Sequence, residues 1–123
     1  MTTLGVISDT HIPDRVAQLN PRALEVFRQA GVVRILHAGD IMVQSVLDEL
    51  ATVAPVQAVC GNRDVWNLKH LPAQLELELE GVRIGLTHGH GSLGDYIFEK
   101  FDLTFNGRKV GRYLRRVAAA FPQ

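Results

Sequence analysis

Short apolar runs alternate with amphipathic segments over the first sixty residues. The apolar runs at 4–8, 32–39 and 56–60 are typical of buried strands, because each ends in a loop with polar residues or glycine. Amphipathic segments at 20–31 and 42–53 separate them and predict helices. Strand–helix–strand units of this length favour right-handed crossovers, so we predict a parallel βαβαβ arrangement.

The first helix has a recognisable start. Asn20 suits the N-cap, and Pro21 suits the first helical position, where its missing N–H costs nothing. Leu24, Val26 and Phe27 are expected to form the apolar face of this helix.

The hydrophobic pattern changes after residue 70. Leucine and glutamate alternate through QLELELE (74–80), which is the period-two pattern of a strand with one solvated face. Glu80-Gly81 predicts a tight connection to VRIGLTHG (82–89). These segments are therefore expected to form an antiparallel hairpin.

Two more helices are predicted, near 95–101 and through 109–121. The 123 residues show no repeat, low-complexity stretch or linker. We therefore predict a single α/β domain over 1–123, which is long enough to bury a core without disulfides or a structural metal.

Charge and hydropathy narrow the choice of partners and compartment. The net charge is +0, and five basic residues but no acid lie in 103–123. A basic final helix can contact phosphates, but a solvated helix face is the favoured interpretation, so a nucleic-acid partner is not expected. No stretch approaches the roughly 18 apolar residues of a membrane span. With one cysteine, Cys60, and no basic leader, the chain is predicted to be cytoplasmic.

Five good metal ligands follow the predicted strands. Because the carboxyl ends of strands form the ligand-binding edge of an open α/β sheet, these side chains are expected to converge. Carboxylates, imidazoles and an amide oxygen suit a hard to borderline divalent ion. The five residues are Asp9, His11, Asp40, Asn62 and His88.

Three of these ligands also have an ordinary structural interpretation when taken alone. Asp9 and His11 lie two apart in a segment expected to be extended, so both side chains would project to one side, yet a turn aspartate beside a surface histidine would look the same. Asn62 is equally suited to capping a helix. His37 is expected to be a packed strand residue and not a ligand, and His70 an exposed residue or a local hydrogen-bond partner.

The order of four motifs resembles a known family. SDTH at 8–11, GD at 39–40, GNRD at 61–64 and THGH at 87–90 are similar to the motifs of calcineurin-like metallophosphoesterases, especially the small single-domain bacterial and archaeal phosphodiesterases. SDTHIPDR (8–15) also resembles the start of the related retromer sorting subunit of eukaryotes. The resemblance implies an α/β sandwich with two metal ions on one edge.

The resemblance also implies roles for the five ligands. Asp9 and His11 would hold the first ion, Asp40 would bridge both ions, and Asn62 and His88 would hold the second. Two ions held this way activate a hydroxide and neutralise phosphoryl oxygens. Asp40 and Asn62 are therefore the predicted catalytic residues.

Three neighbouring residues have predicted supporting roles. Arg63 is expected to hold the substrate phosphate, His90 to contact substrate or metal, and Asp64 to orient the Asn62 loop. Mn²⁺ is the expected metal, with Fe, Zn or Ni as alternatives.

The predicted function is hydrolysis of a small phosphate ester, most simply a phosphodiester, by a metal-dependent hydrolase. The alternative is a noncatalytic scaffold of the same fold that binds a protein partner, as the retromer subunit does. G-x-x-x-x-G-K-[ST] does not occur. GHGSLG (89–94) has the spacing G-x-G-x-x-G, but it follows a strand of the predicted antiparallel hairpin instead of lying in a βαβ unit, which disfavours a nucleotide-binding domain.

Two departures from the family pattern affect these expectations. Family members carry a later Gly-His-x-His motif that supplies two more ligands, whereas this sequence reaches AAAFPQ where the preceding strand should begin. Truncation is the favoured account, with completion by a neighbouring subunit and loss of catalysis as alternatives. Missing strands would expose sheet edges, so a homo-oligomer is predicted.

The second departure is Arg63, because many members have His after the Asn. Arginine stays protonated and cannot donate a proton to a leaving oxygen at neutral pH. Better activity is therefore expected on diesters with good leaving groups than on diesters with poor ones.

Overall fold

The computed structural model describes residues 1–91 and 110–121. In this part of the chain the elements, in order, are β1 Leu4–Ile7, α1 Pro21–Gln29, β2 Arg34–His37, α2 Gln44–Ala51, β3 Val56–Ala58, β4 Gln74–Leu79, β5 Val82–Thr87 and α3 Val110–Ala120. The helix predicted near 95–101 lies outside the described residues.

The first three strands form a parallel sheet in the order β1-β2-β3. Leu4 pairs with Arg34 and Ile35 pairs with Val56, which brings the carboxyl ends of all three strands to one edge. The parallel βαβαβ prediction is confirmed.

The next two strands form the predicted antiparallel hairpin, with Leu75 opposite Leu86 and Leu77 opposite Ile84. Glu80 and its neighbour Gly81 have φ values of 50° and 78°. Positive φ at both central residues is typical of the type I′ turn, whose twist matches a two-residue hairpin. The hairpin prediction is confirmed.

Successive residues of β2 point to opposite faces of the parallel sheet and build two cores. Ile35 packs in one cluster with Leu24 of α1 and Leu50 of α2. Leu36 belongs to a second cluster with Leu77 and Leu86 of the hairpin strands, as well as Val59. The parallel sheet therefore lies between a helical layer and the hairpin, which confirms the α/β sandwich and leaves the strand ends to the loops.

Helix α1 begins as predicted, but one residue of its apolar face was assigned wrongly. The Asn20 Oδ1 accepts a hydrogen bond from the Arg22 N–H at 3.0 Å. Leu24 is 7% exposed, whereas Val26 is 52% exposed. Two residues correspond to roughly 200° around a helix, so these side chains cannot share a face.

The chain divides into two compact units, Met1–His88 and Gly89–Gln123. In the second unit the Arg116 guanidinium donates hydrogen bonds to the carbonyl oxygens of Gly89 at 3.4 Å and His90 at 2.9 Å. The single domain over 1–123 stays a prediction. In the ranges 1–91 and 110–121, no helix has the length and apolar character needed to cross a bilayer.

Two substitutions in α1 test the packing of the helical layer. Leu24→Ala should lower the free energy of unfolding by ~2–3 kcal/mol, because it opens a cavity in the core. Val26→Ala should change it by less than ~0.5 kcal/mol, because this side chain is exposed and alanine favours helix. Urea denaturation followed by circular dichroism measures both, and equal losses would contradict the arrangement.

Candidate metal centre

Three of the predicted ligands meet at the carboxyl edge of the parallel sheet. Asp9, His11 and Asp40 each offer one ligand atom, and these atoms all lie within 4.8 Å of one another. The His11 Nε2 is 3.5 Å from Asp9 Oδ1 and 3.5 Å from Asp40 Oδ2. His11 and Asp40 are buried while Asp9 is exposed, so the group opens to solvent on one side.

The other two predicted ligands, Asn62 and His88, contact each other, and His88 lies near the second oxygen of Asp40. The His88 Nε2 is 3.2 Å from Asn62 Oδ1 and 3.5 Å from Asp40 Oδ1. One Asp40 oxygen thus faces His11, and the other faces His88. A carboxylate placed this way can contribute one oxygen to each of two groups of metal ligands.

The hydrogen bonding of His88 identifies which ring nitrogen carries a lone pair toward the site. Its Nδ1 is 2.7 Å from the carbonyl oxygen of Ala38, which can only accept a hydrogen bond. In the neutral ring the proton therefore lies on Nδ1, and the Nε2 lone pair faces the oxygens of Asn62 and Asp40. This nitrogen and the two oxygens are all acceptors, so a cation between them would suit their arrangement. A histidine that binds a metal typically donates its other N–H to a carbonyl oxygen, as His88 does to Ala38.

The backbone at three of the ligands is in the left-handed region. The φ angles of Asp9, His11 and Asp40 are 55°, 48° and 56°. A non-glycine residue in the left-handed region carries about 1–3 kcal/mol of backbone strain, and such residues cluster at functional sites. Hydrogen bonds between loops hold them: the Asp9 N–H donates to the Gly39 carbonyl, and the His11 N–H to the Asp40 carbonyl, both at 3.0 Å.

These angles correct one step of the sequence reasoning. Asp9 and His11 were expected to share a side because the segment would be extended. The segment is not extended, and the two side chains meet because both residues adopt positive φ.

Two glycines allow the ligand loops to approach each other closely. A Cβ atom on Gly61 would overlap the backbone nitrogen of Asp40, and one on Gly39 would lie 2.8 Å from the nitrogen of Gly61. Real Cβ atoms do not approach that closely, so any side chain at these positions would push the Asp40 and Asn62 loops apart. Gly39 also has a φ of 102°, which favours glycine.

Asp64 joins the same two loops from below the surface. It is 0% exposed. Its Oδ1 accepts from the N–H groups of Ile41 at 2.8 Å and Met42 at 2.7 Å, and its Oδ2 accepts from the Gly61 N–H at 2.8 Å. Asp64 is predicted to orient the Asn62 loop, and its hydrogen bond to Gly61 is a contact of the kind that this task needs. Its hydrogen bonds to Ile41 and Met42 also reach the loop after Asp40.

The residues predicted to contact substrate are placed differently. The Arg63 N–H donates to Asp40 Oδ1 at 2.9 Å, while its half-exposed guanidinium lies 3.8 Å from a carboxylate oxygen of Asp14. Asp14 was not singled out in the sequence, where it looks like an ordinary loop residue. His90 belongs to the second unit, and its substrate contact stays a prediction.

The chain matches a known protein family over nearly its whole length. Residues 2–117 match the calcineurin-like phosphoesterase superfamily domain. The chain belongs to this superfamily. The resemblance inferred from the four motifs is thereby confirmed.

A relative and two solved structures illustrate the relationship. A probable metallophosphoesterase of Methanothermobacter thermautotrophicus is 45% identical over 86 residues, which cover 70% of this chain and 49% of the relative. Vps29 of Chaetomium thermophilum superposes with a TM-score of 0.64 at 23% identity, covering 82% of this chain and 56% of Vps29. An archaeal phosphodiesterase superposes with a TM-score of 0.59 at 23% identity, covering 83% and 66%.

These similarities carry different weight. The two structural matches are under 25% identical and show the fold alone. The chain spans about half the length of the curated relatives it matches.

His37 contacts two loops of the candidate metal centre and is a packed strand residue, as predicted. It is 0% exposed, and burial lowers its pKa from 6.5 to about 4, although nearby carboxylates, Asp64 first, act in the opposite direction. His70 is exposed, also as predicted. The sequence does not predict that His37 makes hydrogen-bond contacts with the Asp9–His11 loop and the Asp40 loop. A histidine inside an apolar strand was the signal that could have indicated such contacts.

The lowered pKa of His37 makes stability depend on pH. The unfolded chain binds the proton at the ordinary pKa of 6.5, and the folded chain binds it only at about 4. The free energy of unfolding should therefore fall as pH decreases through this window, by up to ~3 kcal/mol from this residue.

Urea denaturation of chelator-treated protein at several pH values measures this loss. His37→Asn is the control, because it lacks the titrating group while His11 and His88 remain. The difference between the two curves isolates His37, and parallel curves would contradict the assignment.

Proposed function

We propose that this chain forms the metal-binding part of a metal-dependent phosphodiesterase that hydrolyses a small phosphate ester. The observation that carries the proposal is the position of Asp40, whose two oxygens face two separate imidazoles, those of His11 and His88. Membership of the phosphoesterase superfamily supports it.

Each of the two groups of residues around Asp40 would hold one divalent cation. Asp9 and His11 would bind the first, Asn62 and His88 the second, and Asp40 would be shared. Mn²⁺ is the proposed metal because the ligands are oxygens and imidazoles, and Fe, Zn or Ni accept the same ligands. Such cations activate water as a nucleophile and neutralise phosphoryl oxygens.

Arg63 would bind the substrate phosphate. Its backbone position is tied to Asp40 by a 2.9 Å hydrogen bond, and its side chain is about half exposed next to Asp14. Breaking this exposed ion pair with Asp14 would require little free energy, because surface ion pairs stabilise a fold by only ~0–1 kcal/mol. The forked donors of the Arg63 guanidinium then suit a phosphate, but this group supplies no proton to the leaving oxygen.

The scaffold alternative has less support. The similarity to Vps29 shows the fold alone and applies equally to the archaeal phosphodiesterase. A scaffold does not need a buried carboxylate and an imidazole lone pair directed at each other. Self-association and a cytoplasmic location stay predictions.

An assay with Mn²⁺ and bis(p-nitrophenyl) phosphate tests the proposal. The metal-stripped chain should be inactive, Mn²⁺ should restore turnover, and Asp40→Asn should lower it by more than ~100-fold, since losing even a partner of a ligand costs roughly 10–100-fold. Absorbance of the released nitrophenolate measures the rate.

His70→Gln is the matched control, because it removes an exposed imidazole remote in sequence from every candidate ligand. Its turnover should equal that of the unaltered chain. Turnover that does not require metal, or that survives in Asp40→Asn, would reject the proposed site. Absence of turnover with Mn²⁺ binding retained would favour the scaffold.

Replacement of Arg63 tests the leaving-group argument. Arg63→His introduces a group that can donate a proton near neutral pH, so it should raise turnover of a diester with an alkyl leaving group. It should help little with nitrophenolate, which leaves without a proton. Parallel assays of the two substrates give the ratio, and a lower alkyl rate in Arg63→His would contradict the argument.

A further inference from the structure

His37 makes two side-chain contacts that the proposed chemistry does not use. The N–H of Gly39 donates a hydrogen bond to His37 Nδ1 at 3.2 Å. A ring nitrogen that accepts from an N–H carries no proton, so in the neutral ring the proton lies on Nε2.

The other ring nitrogen continues the chain of hydrogen bonds. His37 Nε2 lies 3.3 Å from the hydroxyl oxygen of Thr10, and that hydroxyl donates to the carbonyl oxygen of Ile41 at 3.5 Å. With its one proton directed at Ile41, the Thr10 oxygen is left to accept from the His37 Nε2–H. Every donor in the series therefore has one acceptor, from Gly39 through His37 and Thr10 to Ile41.

The ends of this series are at the ligand loops. Thr10 lies between Asp9 and His11 in the chain, while Gly39 and Ile41 lie on either side of Asp40. We propose that His37 is a positioning residue, which sets the spacing between the Asp9–His11 loop and Asp40 and thereby the affinity for the metal. The inference rests on the metal site of the proposed function.

A role in packing alone does not account for this arrangement. An apolar side chain would fill the same volume but would leave the buried Gly39 N–H without its acceptor, at about 1–3 kcal/mol, and would remove the donor to the Thr10 oxygen. A lysine or arginine would place a charge beside the cations. A neutral histidine joins both loops without adding a charge, and its lowered pKa is consistent with that state.

Substitutions of Thr10 test the inference with little risk to the fold, because Thr10 is only half-buried. Thr10→Val keeps the shape and removes the hydroxyl, and Thr10→Ser keeps the hydroxyl. Calorimetric titration of the metal-stripped chain with Mn²⁺ should show a Kd about 10-fold weaker for Thr10→Val, the lower end of the loss caused by removing a group that orients metal ligands. Thr10→Ser should bind within about twofold of the unaltered chain.

A double substitution tests whether Thr10 acts through His37. Asparagine at 37 has a carbonyl oxygen that can accept from the Gly39 N–H, but it is too short to reach Thr10. His37→Asn should therefore weaken Mn²⁺ binding about as much as Thr10→Val, and adding Thr10→Val to it should cost little more. His70→Gln is the control for loss of an imidazole.

The outcomes separate this inference from the proposed function. Failure of the unaltered chain to bind Mn²⁺ would reject the metal site and this inference with it. Normal binding by the unaltered chain together with unchanged binding by folded Thr10→Val would overturn the inference alone. Weaker binding by Thr10→Val, retained binding by Thr10→Ser and non-additivity with His37→Asn would support it.

Discussion

The structure of the candidate site depends on sharing one buried carboxylate. Asp40 presents one oxygen to His11 and the other to His88, and its Oδ1 also accepts from the backbone of Arg63. For this to occur, loops that follow three parallel strands and one hairpin strand must meet within hydrogen-bonding distance. The remaining features of the centre allow that approach or hold it in place.

The approach has a conformational cost, and the surrounding contacts offset it. Asp9, His11 and Asp40 occupy the left-handed region, and two glycines remove the side chains that would separate the loops. The carboxylate of Asp64 then accepts three backbone N–H groups from the two loops it joins. Hydrogen bonds to a charged acceptor are stronger than those between neutral groups, so a buried aspartate suits this place.

The layered fold explains why the loops start from the right places. The two faces of β2 pack against different layers, helices on one side and the hairpin on the other, so the parallel strands are held from both sides. Their carboxyl ends are then rigid supports for the ligand loops.

The sequence by itself determined the strands β1 to β5, the helices α1 to α3 and the family, because periodicity, capping residues and ordered motifs are local properties of the chain. It also identified the five candidate ligands, since each lies in a loop that follows a strand. The tertiary structure decided how they meet. The positive φ angles at Asp9 and His11, the exposure of Val26, and the bonds from His37 to Thr10 and Gly39 all depend on packing between segments distant in the chain. Hydrophobic patterns record which face of a strand or helix is buried, but they do not record which loops contact one another.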